Sequence, residues 1–159
     1  MEWAKMRRFK QQVTEADCIA VLKTEKRGVL AVNGENGYPY PVPINFYYSE
    51  AERTIYFHGA KQGEKLARIR EDPRAAFCTY NQGFLREGEW AYNATSVIVR
   101  GRVSILDDLA RSEDICRKLG RKYYPSKEAV EAEMRKAFSR AYVFALTVES
   151  MTGKLVNES

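Results

Sequence analysis

The sequence is poor in the residues that bind metals or form disulfide frameworks. It contains one histidine and three cysteines (Cys18, Cys78 and Cys116), which lie far apart. A structural zinc site usually draws cysteines from Cys-x-x-Cys pairs, and no such pair occurs. Cys78 lies in an apolar strand-like segment and Cys116 on an apolar helical stripe, so we expect both to be small buried residues. Neither a metal site nor a disulfide is predicted.

Long apolar runs and clusters of one charge are also lacking. No run approaches the ~20 residues that span a membrane, and the basic N-terminus is not followed by the apolar segment of a secretory signal. These features predict a cytoplasmic protein without a membrane span. The net charge is +5, but 26 basic residues are interspersed with 21 acidic ones. Nucleic-acid binding usually concentrates basic residues on one face, so no nucleic-acid partner is predicted.

Composition and length predict one globular domain over residues 1–159. The chain is 45% hydrophobic and 30% charged, which is typical of a soluble globular protein. About six strand-like segments alternate with hairpin turns, and helices are inserted between some of them. Six antiparallel strands cannot leave both faces of a sheet in water. We therefore predict a small antiparallel β-barrel with peripheral helices, an α+β fold.

The segment 55–66 is the strongest candidate for a binding site. Residues 55–57 have strand character and Glu64–Glu71 has helical character. Between or beside them lie two glycines, two lysines and the only histidine: His58, Gly59, Lys61, Gly63 and Lys65. A glycine turn that enters a helix offers free N–H groups and the positive end of the helix dipole, and the lysines add charge, so we predict a phosphate site. An ordinary strand–turn–helix connection with solvated lysines is the alternative.

The spacing of these glycines excludes a Walker A loop. That loop has four residues between its glycines and ends in Gly-Lys-Ser/Thr, whereas Gly59 and Gly63 enclose three residues and no hydroxyl follows Lys65. A phosphate-bearing cofactor is therefore a better match than a nucleoside triphosphate.

The segment 38–48 is rich in proline and aromatic residues. Pro39, Pro41 and Pro43 stand at alternate positions and cannot donate ladder hydrogen bonds, which predicts an edge strand. This strand could form one wall of a site for a planar ligand, or it could pack under a helix or against a second subunit. An aromatic edge left in water would be an aggregation hazard, so we predict a homodimer.

Two later segments also carry signals. The connection 81–92 is long and contains Phe84, Trp90 and Tyr92, which could stack on a planar ligand or serve core or dimer packing. The longest strand-like segment, 96–105, is interrupted by Gly101, which predicts a β-bulge or a close backbone approach.

Several short motifs recur in an order that resembles a known family. They are Pro43-Ile44-Asn45-Phe46, Tyr56-Phe57-His58-Gly59-Ala60 followed by Lys65, Asp72-Pro73-Arg74, Ser96-Val97-Ile98-Val99-Arg100-Gly101 and Thr152-Gly153-Lys154. Together they resemble the FMN-binding split-barrel superfamily, which includes pyridoxamine 5'-phosphate oxidase, and more closely its nitroimidazole-reductase branch, linked to nitroimidazole resistance. The resemblance covers nearly the whole chain. It implies a six-stranded split barrel that forms a homodimer with FMN at the subunit interface.

The resemblance also implies cofactor-binding residues. Backbone groups of four residues would face the isoalloxazine: Val42, Pro43, Ile44 and Asn45. Seven further residues would line the flavin, meet its phosphate or contact it from a neighbouring strand: His58, Gly59, Ala60, Lys61, Gly63, Lys65 and Ser96. Residues 152–154 would lie near the outer face of the cofactor.

Two departures from the family pattern shape the functional expectation. Thr95 stands where many relatives carry an arginine, so Lys65, with Lys61 or Arg100, would have to compensate for a lost phosphate donor. The catalytic arginines and histidine of authentic pyridoxamine-phosphate oxidases have no counterpart after Ser150, so vitamin B6 oxidation is not expected.

The resemblance implies an oxidoreductase that passes electrons from reduced FMN to a small acceptor such as a nitroaromatic or a quinone. The flavin would supply the redox chemistry. His58 would be the catalytic residue, donating a hydrogen bond or proton to the acceptor. A structural role for His58 and a non-catalytic flavin- or haem-binding protein are the alternatives.

Overall fold

The computed structural model describes residues 1–158. The four helices are α1 Glu15–Thr24, α2 Glu64–Glu71, α3 Leu109–Tyr123 and α4 Lys127–Ala137. The eight strands are β1 Arg27–Asn33, β2 Pro39–Asn45, β3 Tyr47–Ser49, β4 Thr54–Ala60, β5 Arg74–Tyr80, β6 Phe84–Leu85, β7 Tyr92–Ile105 and β8 Ala141–Asn157. None of the helices within this range is long and apolar enough to cross a membrane.

All eight strands form one antiparallel sheet in the order β2-β1-β5-β7-β8-β4-β3, with β6 on β7. Six of them have at least seven residues, whereas β3 has three and β6 has two. The two strands at the ends of this order are consecutive in the chain and are separated only by Phe46. The sheet therefore curls back on itself, and the predicted split barrel with peripheral helices is confirmed.

The two longest strands bend at the predicted glycine. Arg100 pairs with Ser150 and Gly101 with Val148, so Glu149 is left without a partner at a β-bulge. A Cβ atom on Gly101 would lie 2.0 Å from the carbonyl oxygen of Thr147, which only glycine permits. The bend allows β7 and β8 to belong to both halves of the barrel.

The barrel interior holds a continuous apolar core. Its fully buried members include Leu22, Leu30, Phe46, Phe77 and Phe144. Phe46 packs on Phe77 with ring centroids 4.7 Å apart, which ties the strand junction to the core. Helices α1 and α2 cover the barrel through apolar side chains such as Leu22, Leu66 and Ile69.

The cysteine prediction is only partly correct. Cys18 is buried and Cys116 is half-buried, but Cys78 is exposed. Phe77 and Thr79 point into the core, so the alternation along β5 turns Cys78 outward. Burial raises the pKa of the Cys116 thiol to about 11, so this thiol stays protonated at neutral pH.

The end of α3 secures the junction between β2 and β3. The Tyr123 hydroxyl accepts a hydrogen bond from the Phe46 N–H at 2.9 Å. The Lys122 amine donates to the Phe46 carbonyl at 3.0 Å and lies 3.7 Å from the centroid of the Phe46 ring. Burial lowers the pKa of Lys122 to about 8. These contacts hold Phe46, the residue that joins β2 to β3, at a defined position.

Candidate cofactor site

An open cavity of about 400 Å³ lies between the free edge of β2 and the C-terminal end of β4. Its lining residues are Arg27, Val42, Pro43, Ile44, Asn45, His58 and Lys65. Six of these seven residues were predicted as cofactor-binding residues. The fold thus brings the segment 42–45 together with His58 and Lys65, which follow it by more than ten positions in the sequence.

His58 and Gly59 belong to strand β4 and not to the turn that the local pattern predicted. Pairing with β8 joins His58 to Val143, Gly59 to Tyr142 and Ala60 to Ala141. The long partner strand extends β4 through the glycine, which overrides the local turn preference. The backbone of His58 is therefore fixed by pairing in the sheet, and its side chain is exposed near the C-terminal end of β4.

Lys65 is an unpaired cation at the base of this cavity. Its side chain crosses over Gly59, because a Cβ atom on Gly59 would lie 2.6 Å from Nζ of Lys65. The same Nζ lies 5.1 Å from the centroid of the Phe144 ring. Burial lowers the pKa of Lys65, and no carboxylate of residues 1–158 forms an ion pair with it. A half-buried amine without a counter-ion favours an anionic ligand.

The N-terminus of α2 adjoins this amine and supports the same preference. Gly63 is the N-cap residue of α2, and its φ of 114° is accessible mainly to glycine. Because glycine has no side chain, no side-chain hydrogen bond caps the helix. The first N–H groups of an uncapped helix attract anions. Lys61 is exposed and its Nζ lies 5.1 Å from the centroid of the Tyr142 ring, outside the lining of the cavity.

The opposite wall of the cavity is the free edge of β2. This strand pairs only with β1, so the predicted edge strand is confirmed. Val42 and Ile44 are half-buried, whereas Pro43 and Asn45 are exposed. An edge strand presents unpaired backbone groups, and Pro43, which lacks an N–H, can contribute only its carbonyl. Such an edge can hydrogen-bond the rim of a planar heterocycle.

His58 stands between the two walls. The residue is exposed, but its ring sits in a concave region where lost solvation lowers its pKa. The positive charge of Lys65 lowers this pKa further, and Glu133 partly offsets both effects. The imidazole is therefore neutral at pH 7 and carries one N–H donor.

Arg27 also lines the cavity but was missed by the sequence analysis. It is the first residue of β1 and pairs with Asn45, so its place beside the cavity depends on strand register. The only local signal was a pair of basic residues before Gly28. A guanidinium at this position can bind phosphate with two parallel hydrogen bonds.

The remaining predicted residues lie elsewhere on the chain. Ser96 pairs with Lys154 on the long β7–β8 ladder. Since β1 and β5 separate β7 from β2, Ser96 is about 14 Å from the β2 edge at the usual strand spacing. Ala60 pairs with Ala141, and Arg100 stacks on Trp3 at 5.2 Å from the ring centroid. None of these residues lines the cavity.

An apolar strip crosses the outer face of the sheet. Five residues on adjacent strands are cross-strand partners and therefore share one face: Pro43, Val29, Cys78, Ile98 and Thr152. Val29 is 39% exposed and Ile98 is 40% exposed, and the nearby β6 hairpin exposes further aromatic side chains, namely Phe84, Trp90 and Tyr92. We call this face the outer strip. It leaves β-branched side chains in water in the single chain.

No group of three or more His, Cys, Asp or Glu residues between 1 and 158 could hold a metal ion.

The curled antiparallel sheet with this cavity at its edge defines a split-barrel protein. The chain belongs to the pyridoxamine 5'-phosphate oxidase family, whose model matches residues 14–155. Comparison with curated proteins finds no match.

Solved structures share this fold at low sequence identity. A candidate 5-nitroimidazole antibiotic resistance protein from Bacteroides thetaiotaomicron is 20% identical over 92% of this chain and 87% of that chain, with a TM-score of 0.75. A FAD-binding protein from Mesorhizobium loti is 23% identical over 91% and 96%, with a TM-score of 0.65. A FAD and haem binding protein from Mycobacterium smegmatis is 18% identical over 94% and 74%, with a TM-score of 0.73.

Proposed function

We propose that this protein binds FMN in the β2–β4 cavity and passes electrons from reduced FMN to a small acceptor such as a nitroaromatic or a quinone. The observation that carries the proposal is the unpaired, half-buried amine of Lys65 between an uncapped helix and a free strand edge. The family membership and the flavin-binding proteins of similar fold support it.

The residues of the cavity match the parts of FMN. Lys65, Arg27 and the N-terminus of α2 together suit one phosphate group. The backbone of residues 42–45 suits the polar rim of the isoalloxazine. Gly59 has no side chain and so leaves room for the Lys65 amine to reach the cavity. Bound FMN would supply the redox chemistry, and the protein would supply position and electrostatics.

FMN is favoured over FAD and riboflavin because the cavity offers one cluster of phosphate donors. Titration of flavin-free protein with all three ligands, followed by flavin fluorescence, tests this assignment. We expect FMN to bind about ten- to a hundredfold more tightly than riboflavin. This ratio corresponds to the free energy of one or two charge-assisted hydrogen bonds to the phosphate. Equal affinities for FMN and riboflavin would contradict the phosphate site. Tighter binding of FAD would favour a dinucleotide, and a haem absorbance spectrum of the purified protein would favour the haem alternative.

We further propose that the protein is a homodimer in which the outer strip of one copy faces the other. An exposed row of Val29, Cys78 and Ile98 is best covered by the same row of a second copy in a two-fold arrangement. This arrangement would allow Ser96 and residues 152–154 of a second copy to approach the cofactor, which they do not reach within one chain.

His58 is proposed to donate a hydrogen bond to the acceptor. Reduction of a nitro group to a nitroso group consumes two electrons and two protons and releases water, so a donor beside the nitro oxygens assists the reaction. A neutral imidazole on the cavity wall can offer that N–H.

Replacing His58 with alanine should preserve FMN affinity within about threefold and slow the reoxidation of reduced flavin by 4-nitrobenzyl alcohol by about tenfold or more. The physical reason is that His58 provides no charge to the phosphate cluster but provides the N–H beside the acceptor. Anaerobic stopped-flow absorbance measures the reoxidation rate. His58→Gln retains an N–H donor and should recover part of the rate. An unchanged rate in a fully loaded His58→Ala protein would assign His58 a structural role.

A further inference from the structure

A second cavity, of about 100 Å³, lies on the other side of His58. Helices α3 and α4 form most of its wall, and the ends of β4 and β8 close it through His58 and Ala141. The wall is mainly apolar, with contributions from Leu119, Val130, Met134 and Phe138. We call it the helix pocket. Leu119 and Val130 are buried, so the floor of the pocket is part of the folded core of the helical layer.

The helix pocket and the cofactor cavity share one wall residue. His58 is the only residue that lines both cavities among residues 1–158. A molecule in the helix pocket can therefore contact the same imidazole that lines the cofactor cavity. The neutral imidazole can present its N–H to a polar atom of that molecule.

We propose that the helix pocket binds the ring of a small uncharged aromatic compound, with a polar substituent directed at His58. The helix pocket is smaller than the apolar cavity of about 150 Å³ that holds benzene in another protein. It is open on one side, however, so a ring can enter it with its substituents in the mouth. The binding of such a ring stands on this pocket alone. Its identification with the electron acceptor rests on the proposed flavin chemistry.

One carboxylate sets the charge preference of the helix pocket. Glu133 is the only acidic residue in its wall and forms no ion pair with any other residue of the described chain. The positive charge that acts on His58 is that of Lys65, which lines the cofactor cavity and not the helix pocket. A negative charge beside an apolar cavity disfavours anionic ligands. The pocket should therefore prefer neutral aromatics to aromatic carboxylates.

Filling the helix pocket should weaken ring binding without disturbing the cofactor cavity. Ala137→Leu places a larger side chain in the wall, so the affinity for 4-nitrobenzyl alcohol should fall by about tenfold or more. Ala132→Leu is the matched control, because Ala132 is an exposed residue of the same helix and lies outside the wall. Ligand-observed NMR and calorimetry on the purified protein, with and without added FMN, measure the affinity.

The outcomes separate this inference from the proposed function. Binding by the unchanged protein that is lost in Ala137→Leu and kept in Ala132→Leu supports the pocket, even if FMN does not bind. No binding by the unchanged protein, or equal binding by both variants, overturns it, even if FMN binds. Met134→Phe fills the same pocket from a different position and replaces Ala137→Leu if that variant shows a lowered melting temperature.

The charge preference has its own test. The unchanged protein should bind 4-nitrobenzyl alcohol more tightly than 4-nitrobenzoate, and Glu133→Gln should raise the affinity for 4-nitrobenzoate by about fivefold or more, because it removes one like charge near the ligand. The affinity for the alcohol should stay the same. Equal affinities of the unchanged protein for the two probes would overturn the role of Glu133.

Discussion

Replacing Lys65 with alanine is expected to lower FMN affinity by about ten- to a hundredfold. A charge-assisted hydrogen bond contributes about 1.5–3 kcal/mol, and a free-energy difference of about 1.4 kcal/mol changes an equilibrium constant tenfold. No carboxylate within residues 1–158 forms an ion pair with the Lys65 amine, so no ion pair has to be broken before the amine binds the phosphate. Fluorescence titration of flavin-free protein measures the change.

Riboflavin and a matched variant provide the controls for this prediction. Riboflavin lacks the phosphate, so its affinity should differ between the unchanged protein and Lys65→Ala by less than about threefold. Arg70→Ala removes a cation from the exposed, opposite end of the same helix and should leave FMN affinity unchanged. A similar loss for FMN and riboflavin in Lys65→Ala would mean that Lys65 supports the fold and not the phosphate.

Replacing Ile98 with arginine is expected to convert the proposed dimer into a monomer of 18.3 kDa. Ile98 lies within the outer strip between Cys78 and Thr152, so a two-fold interface would bury a guanidinium without a counter-ion from each copy. Burying an unpaired charge costs several kcal/mol, which raises the dissociation constant of a dimer by a factor of about a hundred or more. Light scattering at micromolar concentration measures the mass.

A variant on the same strand controls for an effect of the new charge itself. Ser104 is exposed on β7 beyond the bulge, so Ser104→Arg should remain dimeric. The monomeric Ile98→Arg protein should also bind FMN more weakly, because Ser96 and residues 152–154 of a second copy would no longer reach the cofactor. An unchanged protein that is monomeric and loaded with flavin would contradict the dimer, and a dimeric Ile98→Arg protein would place the interface on another face.

Local signals predicted the features that depend on only a few neighbouring residues. Helix α2 begins and ends at the predicted residues, Glu64 and Glu71, because its apolar spacing and the following proline act within one or two turns. The same holds for the start of α1, where the Thr14 hydroxyl oxygen accepts a hydrogen bond from the Asp17 N–H three residues later. The proline-bearing edge strand and the bulge at Gly101 also follow from backbone chemistry that each residue carries with it.

Features that depend on residues far away in the chain were harder to predict from local sequence patterns. The extension of β4 through His58 and Gly59 requires β8, which begins more than eighty residues later. Cys78 lies on the outer face because the register of β5 places its neighbours in the core, and an apolar segment gives no sign of which alternate residues face inward. The first helix ends at Thr24 and does not run on to Gly28, because Gly28 pairs with Ile44 in the sheet.

The residue types of the candidate site and their order along the chain can be read directly from the amino-acid sequence. The glycines, Lys65 and His58 indicated a phosphate site, and the family resemblance added residues 42–45. The folded chain was needed to establish that these segments share one cavity, that Arg27 joins them and that Ser96 and Lys61 do not. The physical reason is that proximity across a curled sheet depends on strand order and register, which are set by hydrogen bonds and core packing between segments far apart in the chain.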